Sequence, residues 1–245
     1  PAEPLFRSRD GSGLAPTALS YATPPTGDYG TQGSTSPRGL LTGIVIGRMG
    51  ASGVSGHDYM AIYYDNKNRV IQTRGTNHMG GMEYEYTGYN YMDNVLKRQH
   101  VHMASGMTTQ TETYTYEYNT SGLLAQTKHK LNTNSEVTLH QYAYNDIGQL
   151  TGKTNGGISS AAETYTYNVR SWLKTISSTL FSETLYYNDT YGGSVAQFGG
   201  NISAMTWNAD SKTRGYKFTY DNLVRLTKAE YIENGSASPH YDTED

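Results

Sequence analysis

The sequence predicts an all-β protein built from consecutive antiparallel β-hairpins that form a curved or spiralling ribbon. Three observations support this fold class: the 245 residues include 23 Tyr but only 4 Phe, 27 Gly are spread along the chain, and Tyr-x-Tyr pairs followed by Asn or Asp recur. Aromatic residues favour strands, whereas Gly, Asn and Asp favour turns. The mean hydropathy of -0.66 excludes a thick aliphatic core, so half-buried Tyr rings are expected to supply much of the apolar area.

Proline placement divides the chain into three predicted parts. Six of the seven prolines lie between Pro1 and Pro37, and the next is Pro239. Because proline removes a backbone donor, residues 1–39 are predicted to form an irregular arm or linker rich in Pro, Gly and Ser. The proline-free residues 40–232 are predicted to be an array of paired strands. Residues 233–245 are predicted to be a polar, acidic tail or linker.

The strand region repeats one unit, an aromatic pair followed by a turn. In five copies the second aromatic residue stands six residues before an aliphatic one: Tyr64 and Val70, Tyr118 and Leu124, Tyr144 and Leu150, Tyr167 and Leu173, Tyr220 and Leu226. Two weaker copies are led by Tyr89, six residues before Val95, and by Tyr187, which an insertion separates from Ile202. We call the seven tyrosines the anchor tyrosines, and we predict that they and the aliphatic residues are structural anchors.

Each unit is predicted to be one β-hairpin. Side chains alternate along a strand, so Tyr-x-Tyr places two rings on one face. The Asn or Asp that follows the second Tyr, with Gly three residues further on in two copies, provides turn chemistry. One hairpin is marginally stable in water. Successive hairpins are therefore expected to pair edge to edge, with the paired Tyr rings facing inward.

These units resemble the YD repeat of Rhs proteins, which runs Tyr-x-Tyr-Asp/Asn-x-x-Gly-Arg-Leu-x-x-Thr. The match spans residues 40–231, and three segments resemble the Rhs proteins of Bacteroidota in particular: 64–73, 199–207 and 214–229. The Gly of the repeat is replaced in three copies, by Asn68, Ser171 and Val224. The Arg that follows it survives only as Arg69 and Arg225. The turn is therefore predicted to be degenerate in sequence but still present.

The resemblance implies a strip of hairpins that spirals into a hollow shell, which in Rhs and related toxin proteins encloses a C-terminal toxic domain. Seven units are too few for a closed shell, so the chain is expected to be a fragment of one. The rest of its own chain or neighbouring protein chains are the implied partners, with a toxin as cargo. The implied location is secreted or on the bacterial cell surface. The self-cleaving aspartyl motif of the family is not recognisable, so no processing residue is carried over.

The sequence predicts no enzyme, no catalytic residue and no cofactor. Two carboxylates across a cleft can hydrolyse glycosides, but turn capping explains the candidates better: Glu112, Glu117, Asp146, Glu163 and Asp221. Ser171 and Ser203 lack the Gly-x-Ser-x-Gly context of a nucleophile, and no Gly-rich phosphate loop precedes a helix. These residues are therefore interpreted as parts of strands and turns.

Metal, nucleic acid and membrane are not predicted either. His100 and His102 share one strand face and can chelate Zn²⁺ or Cu²⁺ if His78 or His129 comes near, but solvated histidines on a polar face are the favoured interpretation. The chain has no Cys, which excludes disulfides and thiolate sites. A formal charge of -3 creates no field for nucleic acid. The longest apolar stretch, residues 40–46, is too short to span a bilayer.

A cell-surface module that binds polysaccharide or mediates adhesion through exposed Tyr rows is the alternative function. That function requires rings open to solvent at a regular period. Successive anchor tyrosines are instead 25, 29, 26, 23, 20 and 33 residues apart. The variable period, together with the shared six-residue offset, favours rings that face inward in a scaffold.

Overall fold

The computed structural model describes residues 19–34, 39–158, 161–209, 212–237 and 243–244. Within these ranges the regular structure is β-strand, without an α-helix, and every strand pairing is antiparallel. The all-β, antiparallel hairpin prediction is thus confirmed. Contacts divide the chain into two compact units, residues 1–137 and 138–245. The division into arm, array and tail stays a prediction, and residues 1–18 of the arm and most of the tail lie outside the described residues.

Unit 1 holds a meander in which each strand pairs with the next one along the chain. Its strands, in order, are β1 (Gly43–Gly50), β2 (Gly53–Tyr64), β3 (Val70–Thr76), β4 (Met82–Tyr89), β5 (Val95–His102), β6 (Gln110–Tyr118) and β7 (Leu124–Leu131). The pairs β2–β3, β4–β5 and β6–β7 are hairpins whose first strand ends on an anchor tyrosine. The repeat that the sequence shows is therefore one hairpin long.

The core of unit 1 lies where residues 19–34 cross the sheet without forming a strand. Leu19, Tyr63 and Ile71 are each at most 2% exposed and form one cluster. The Tyr63 hydroxyl donates to the Leu19 carbonyl at 2.7 Å. The buried amide of Gln72 accepts from the Ala22 N–H at 3.1 Å and donates to the Ala22 carbonyl at 2.9 Å. The described part of the arm is thus held to the sheet by backbone contacts.

Unit 2 continues the same pattern, with consecutive strands paired from β8 to β15. Its strands are β8 (Val137–Tyr144), β9 (Leu150–Asn155), β10 (Ala162–Tyr167), β11 (Leu173–Ser177), β12 (Ser182–Tyr186), β13 (Ala204–Ala209), β14 (Lys212–Tyr220), β15 (Leu226–Glu233), β16 (Ser236–Ala237) and β17 (Thr243–Glu244). The two short strands β16 and β17 both pair with β15.

Tyrosines supply much of the buried apolar surface of unit 2. Tyr187 and Tyr231 are each 6% exposed, and Ile232 is 1% exposed. The ring of Tyr231 meets that of Tyr216 edge to face, with the centroids 5.5 Å apart. Such edge contacts are favoured by the charge distribution of aromatic rings. The thin, aromatic core agrees with the low aliphatic content of the sequence.

Candidate functional site

The six-residue offset of the repeat is the spacing of two cross-strand partners. In six hairpins the anchor tyrosine faces its aliphatic partner across a five-residue turn. The pairs are Tyr64 with Val70, Tyr89 with Val95, Tyr118 with Leu124, Tyr144 with Leu150, Tyr167 with Leu173 and Tyr220 with Leu226. In every one of these hairpins the register shifts next to the anchor tyrosine, which marks a β-bulge. The anchors therefore fix where each strand reverses.

The residue after the anchor tyrosine organises the turn. In the β6–β7 hairpin the Asn119 side-chain oxygen accepts from the Ser121 N–H at 3.0 Å and from the Leu123 N–H at 2.9 Å, while the Gly122 N–H donates to the Asn119 carbonyl at 2.9 Å. In five further turns the equivalent side-chain oxygen accepts a bond from the backbone N–H four residues on. The accepting residues are Asp65, Asn90, Asn145, Asn168 and Asp221. Asn and Asp suit this role because their short side chains reach backbone groups two and four residues ahead.

The fourth turn residue adopts the left-handed conformation in all six of these turns. Its φ is 78° and 81° where the residue is glycine, at Gly122 and Gly148, and 62–66° where it is not, at Asn68, Asp93, Ser171 and Val224. Glycine adopts positive φ without strain, whereas a β-branched residue does not. The turns that lack glycine at this position thus keep the left-handed backbone conformation of the two turns that have it.

Six of the seven anchor tyrosines also reach back along the array through their hydroxyl groups. The donated bonds, 2.7–2.9 Å long, end on main-chain carbonyls: Tyr64 to Leu41, Tyr89 to Val70, Tyr118 to Val95, Tyr167 to Leu150, Tyr187 to Leu173 and Tyr220 to Ile202. For Tyr89, Tyr118, Tyr167 and Tyr187 the acceptor is the aliphatic anchor at the start of the preceding return strand, whereas Leu41 lies just before β1 and Ile202 just before β13. We call these contacts the anchor hydroxyl bonds.

The anchor rings are sheltered rather than free in solvent. Tyr187 is buried, and the other anchor rings are half-buried. Burial raises the pKa of six anchor phenols, those of Tyr64, Tyr89, Tyr118, Tyr144, Tyr187 and Tyr220. A phenol with its ordinary pKa of about 10 is already a donor at neutral pH, and the upward shift reflects the sheltered position of these rings.

Two turns contain an ion pair between an Asp and an Arg that both recur in the sequence repeat, although their pairing was not predicted. Arg69 lies 2.6 Å from the Asp65 carboxylate, and Arg225 lies 2.7 Å from that of Asp221. Burial alone would raise the pKa of Asp65, but hydrogen bonds from the Arg69 amide and guanidinium and from the Lys67 amide outweigh it and lower the pKa. In these two turns the Arg and the Asp are therefore partners within one turn.

Arg69 in addition joins its own turn to the next one in unit 1. Its guanidinium lies 2.7 Å from the Asp93 carboxylate and 4.6 Å from the centroid of the Tyr89 ring. Both partners belong to the β4–β5 hairpin. Charge pairing and cation–π attraction thus support the link that the Tyr89 hydroxyl makes to the β2–β3 hairpin.

The histidine pair meets a carboxylate from the neighbouring strand. His100 Nε2 lies 2.8 Å from Glu83 Oε2, and His102 Nδ1 lies 2.5 Å from Glu83 Oε1. His78 lies in the β3–β4 turn, and the His129 ring packs on Tyr114 with the centroids 4.8 Å apart. Among the residues that the structure describes, no group of three His, Cys, Asp or Glu has the geometry of a metal site.

The acidic candidates of the sequence lie at separate places. Glu117 bonds Lys128, Glu163 accepts from the Tyr165 hydroxyl, and Asp221 pairs with Arg225 as described. Glu112 faces His100 across the β5–β6 ladder, and Asp146 lies in the β8–β9 turn. The serine candidate Ser203, the last residue before β13, is fully buried, and its hydroxyl donates to the Asp189 carbonyl at 2.9 Å. In the described residues, the contacts of these side chains are ones that strands and turns ordinarily make.

An insertion in unit 2 builds a groove that the sequence did not indicate. We call residues 188–203, between Tyr187 and β13, the insertion loop. With the turn before Leu173 it encloses a groove of about 620 Å³, which Trp172 and Phe198 line together with polar residues. The interruption of the repeat at Tyr187 is visible in sequence, but the groove depends on Trp172 in the preceding turn.

These features define a β-hairpin repeat protein. The chain is similar to chains in three solved structures, titled "Crystal Structure of TcdB2-TccC3-Cdc42", "Crystal Structure of TcdB2-TccC3-TEV" and "Crystal Structure of TcdB2-TccC3". The identities are 14%, 14% and 13%, and the TM-scores are 0.34, 0.34 and 0.32. Each match covers 78% of this chain and 10% of the other, so the chain spans about a tenth of the length of the chains it matches.

TM-scores this low carry no argument about function. No family model matches the chain, and no curated protein matches it. No helix among the described residues is long and apolar enough to cross a membrane. The antiparallel hairpins with Asx turns are the local structure that the resemblance to YD repeats implies.

Proposed function

We propose that the chain is a non-enzymatic structural segment of an Rhs-type YD-repeat shell that encapsulates or displays a toxin or effector domain encoded elsewhere in the full chain. The proposed location is secreted or on the bacterial cell surface. The observation that carries the proposal is the series of anchor hydroxyl bonds, in which one hairpin after another donates to the hairpin before it. A shell built from repeats depends on stabilising contacts between each unit and the next, as repeat proteins in general do.

The same contacts weigh against binding of polysaccharide by rows of anchor tyrosines. A ring that stacks on a sugar needs an open face, whereas the anchor rings are half-buried or buried. Six of the anchor hydroxyls are already committed to main-chain carbonyls, from Tyr64, Tyr89, Tyr118, Tyr167, Tyr187 and Tyr220. The anchor tyrosines are therefore better suited to hold hairpins together than to bind a ligand.

Simultaneous replacement of Tyr118, Tyr144 and Tyr167 by Ser distinguishes the two functions. A scaffold role predicts loss of folding, because three hairpins lose ring packing and, at Tyr118 and Tyr167, a bond to the preceding hairpin. Circular dichroism and a thermal melt measure that loss. A triple variant that stays folded would contradict the scaffold. Loss of polysaccharide binding in a pull-down by a folded Tyr118→Ser, Tyr144→Ser variant, which keeps Tyr167 at the groove before Leu173, would support the Tyr-row alternative.

A cargo role needs the protein expressed from its full reading frame. Proteinase K should leave a segment outside the repeats intact in the native protein, because a shell excludes the protease. The Tyr118→Ser, Tyr144→Ser, Tyr167→Ser variant should lose that protection. Equal digestion of the segment in both proteins would contradict encapsulation, even if the triple variant confirmed that the anchors stabilise the fold.

A further inference from the structure

The insertion loop departs from the five-residue turn that joins the strands of every other anchored hairpin. It places 16 residues, 188–203, between Tyr187 and β13. Connections longer than about 12–15 residues are uncommon in compact domains and usually carry a function. The anchor hydroxyl bonds continue through it, from Tyr187 to Leu173 at 2.9 Å and from Tyr220 to Ile202, near the end of the loop, at 2.9 Å. The other anchored hairpins make such bonds with turns of only five residues, so the additional residues of the loop are not needed to continue the array.

The insertion loop has a defined internal structure. The Gln197 N–H donates to the Tyr187 carbonyl at 2.7 Å, and the Ser194 N–H donates to the Tyr191 carbonyl at 3.0 Å. Ser194 is 8% exposed. A Cβ at Gly192 would come within 2.5 Å of Ile232, so the loop lies tightly on the core of unit 2. A loop held in this way presents a preformed surface, so less conformational entropy is lost when a ligand binds.

The groove beside the loop combines aromatic surface with hydrogen-bonding groups. Phe198 is 66% exposed, and the half-buried Trp172 ring packs on Tyr187 with the centroids 5.0 Å apart. The Arg170 guanidinium lies 5.2 Å from the centroid of the Trp172 ring and donates to the Phe198 carbonyl. Two aromatic side chains from different segments thus share one concave surface of about 620 Å³.

The polar side of the groove carries both donors and acceptors. Lys174 Nζ lies 2.6 Å from the Asp189 carboxylate, which also lines the groove. The hydrogen bond from Lys174 is the main reason that the pKa of Asp189 lies below its usual range. Asp189 is therefore an ionised acceptor at neutral pH, and Asn188 beside it adds an amide.

We propose that this groove binds a sugar ring of a polysaccharide. The C–H groups on one face of a pyranose contact the aromatic surface of Trp172 and Phe198. The ring hydroxyls exchange hydrogen bonds with Asp189, Asn188 and Arg170, because a sugar hydroxyl both donates and accepts. Of the anchor tyrosines, Tyr167 also lines this groove. The aromatic surface offered to the sugar comes from Trp172 and Phe198, which are not anchors, and the proposal does not depend on the shell proposal.

A phosphate-bearing ligand fits the groove less well. Lys174, which would bind a phosphate, is already paired with Asp189. The same carboxylate would lie close to the phosphate and repel it. A neutral polyhydroxylated ring meets no such repulsion, and the volume falls within the range of about 300–1,000 Å³ typical of small-ligand sites.

The chain has two tryptophans, so Trp207→Phe leaves Trp172 as the only indole and as a reporter of the groove. The probes are the neutral saccharides cellohexaose, chitohexaose, mannohexaose and xylohexaose, with AMP as the phosphate-bearing comparison. We expect a saturable change in Trp172 emission with at least one saccharide. Should Trp207→Phe fail to fold, the two indole N–H signals of the unmodified chain in a two-dimensional NMR spectrum give the same readout.

Phe198→Ala and Asn188→Ala are expected to weaken saccharide binding by about tenfold or more, which corresponds to 1.4 kcal/mol or more. The matched control is Phe181→Ala, because Phe181 is 41% exposed in the β11–β12 turn and does not line the groove. This control should bind as the parent does. The proposal is overturned if none of the saccharides changes the Trp172 signal at about 10 mM, which excludes a Kd in the millimolar range, if Phe198→Ala binds unchanged, or if AMP binds and the sugars do not.

Discussion

At the scale of single residues, the fourth position of each anchor turn is where the chain carries backbone strain. Glycine takes positive φ freely, and Asn and Asp tolerate it. Val224 has φ of 66° and a β-branched side chain that is 61% exposed. Nothing at this position compensates for the strain through burial. The β14–β15 hairpin is therefore expected to be less stable than the same hairpin with glycine at position 224.

Val224→Gly is expected to stabilise the chain by about 0.5–1 kcal/mol. Removing the steric strain of an L-residue in the left-handed conformation contributes about 1–2 kcal/mol. The larger entropy of glycine in the unfolded chain offsets part of that gain. The midpoint of guanidinium unfolding measures the change. Gly148→Val, the reverse exchange at φ of 81°, should lower the midpoint. A lower midpoint for Val224→Gly would contradict the strain.

Asp65→Asn tests the ion pair in the first anchor turn. The folded-state pKa of Asp65 is lowered below its ordinary value of 3.8, so its contribution to stability is present above that value and is lost as the pH falls through the folded-state pKa. The parent should therefore exceed Asp65→Asn in unfolding free energy at about pH 7, and the difference should shrink towards about pH 2. A difference that does not change with pH would show that the pair contributes nothing.

The role of single residues was only partly visible in the sequence. The Asn or Asp after each anchor tyrosine predicted a turn, because those side chains cap turns locally. The bond of Glu83 with His100 and His102 was not predicted, since it depends on the register between β4 and β5. The partner of Arg69 in the next turn, Asp93, was missed for the same reason.

At the scale of the hairpin, the anchor hydroxyl bond adds a side-chain contact to the backbone ladders that pair neighbouring hairpins. Tyr118→Phe should destabilise the chain by about 1 kcal/mol, because it removes the 2.9 Å bond that the Val95 carbonyl accepts from the Tyr118 hydroxyl. Tyr116→Phe is the matched control: the ring lies two residues away on β6, and its hydroxyl has no hydrogen-bond partner within the described ranges. Equal unfolding midpoints for the two variants would contradict a role for the hydroxyl.

The sequence predicted the hairpin but not what the hairpin does to its neighbour. A constant offset of six residues follows from local pairing of the anchors, so it can be read from one chain. The acceptor of each hydroxyl is a main-chain carbonyl, which every residue possesses and which leaves no sequence signal. The groove at the insertion loop was not predicted, because it forms only when the fold brings Trp172 and Phe198 together, and the two residues are 26 positions apart in the sequence.

At the scale of the whole molecule, tyrosine packing and backbone contacts replace a thick aliphatic core. The fold class was predictable because period-two patterns and turn residues are local signals. The crossing of residues 19–34 over unit 1 was not, since it rests on long-range contacts such as that of Gln72 with Ala22. Proline, glycine and serine indicated an irregular segment but not the surface against which it lies.

Gly30→Ala tests how tightly that segment is held. A Cβ at Gly30 would lie 2.3 Å from Ile71, whereas one at Gly27 would have nothing within 4 Å. Gly30→Ala should therefore lower the unfolding free energy by about 1–3 kcal/mol and speed trypsin cleavage at Arg74. Gly27→Ala should have little effect on either measurement. Equal behaviour of the two variants would contradict close packing of residues 19–34.

Hydrogen exchange of Tyr118→Phe tests most directly whether each anchor hydroxyl stabilises the hairpin before it. Faster exchange is expected both in β6–β7, which carries Tyr118, and in β5, which supplies the Val95 carbonyl, with β2 and β3 unchanged. Tyr116→Phe should exchange like the parent throughout. If exchange in β5 is the same in Tyr118→Phe as in the parent, the hairpins are not coupled through their tyrosines.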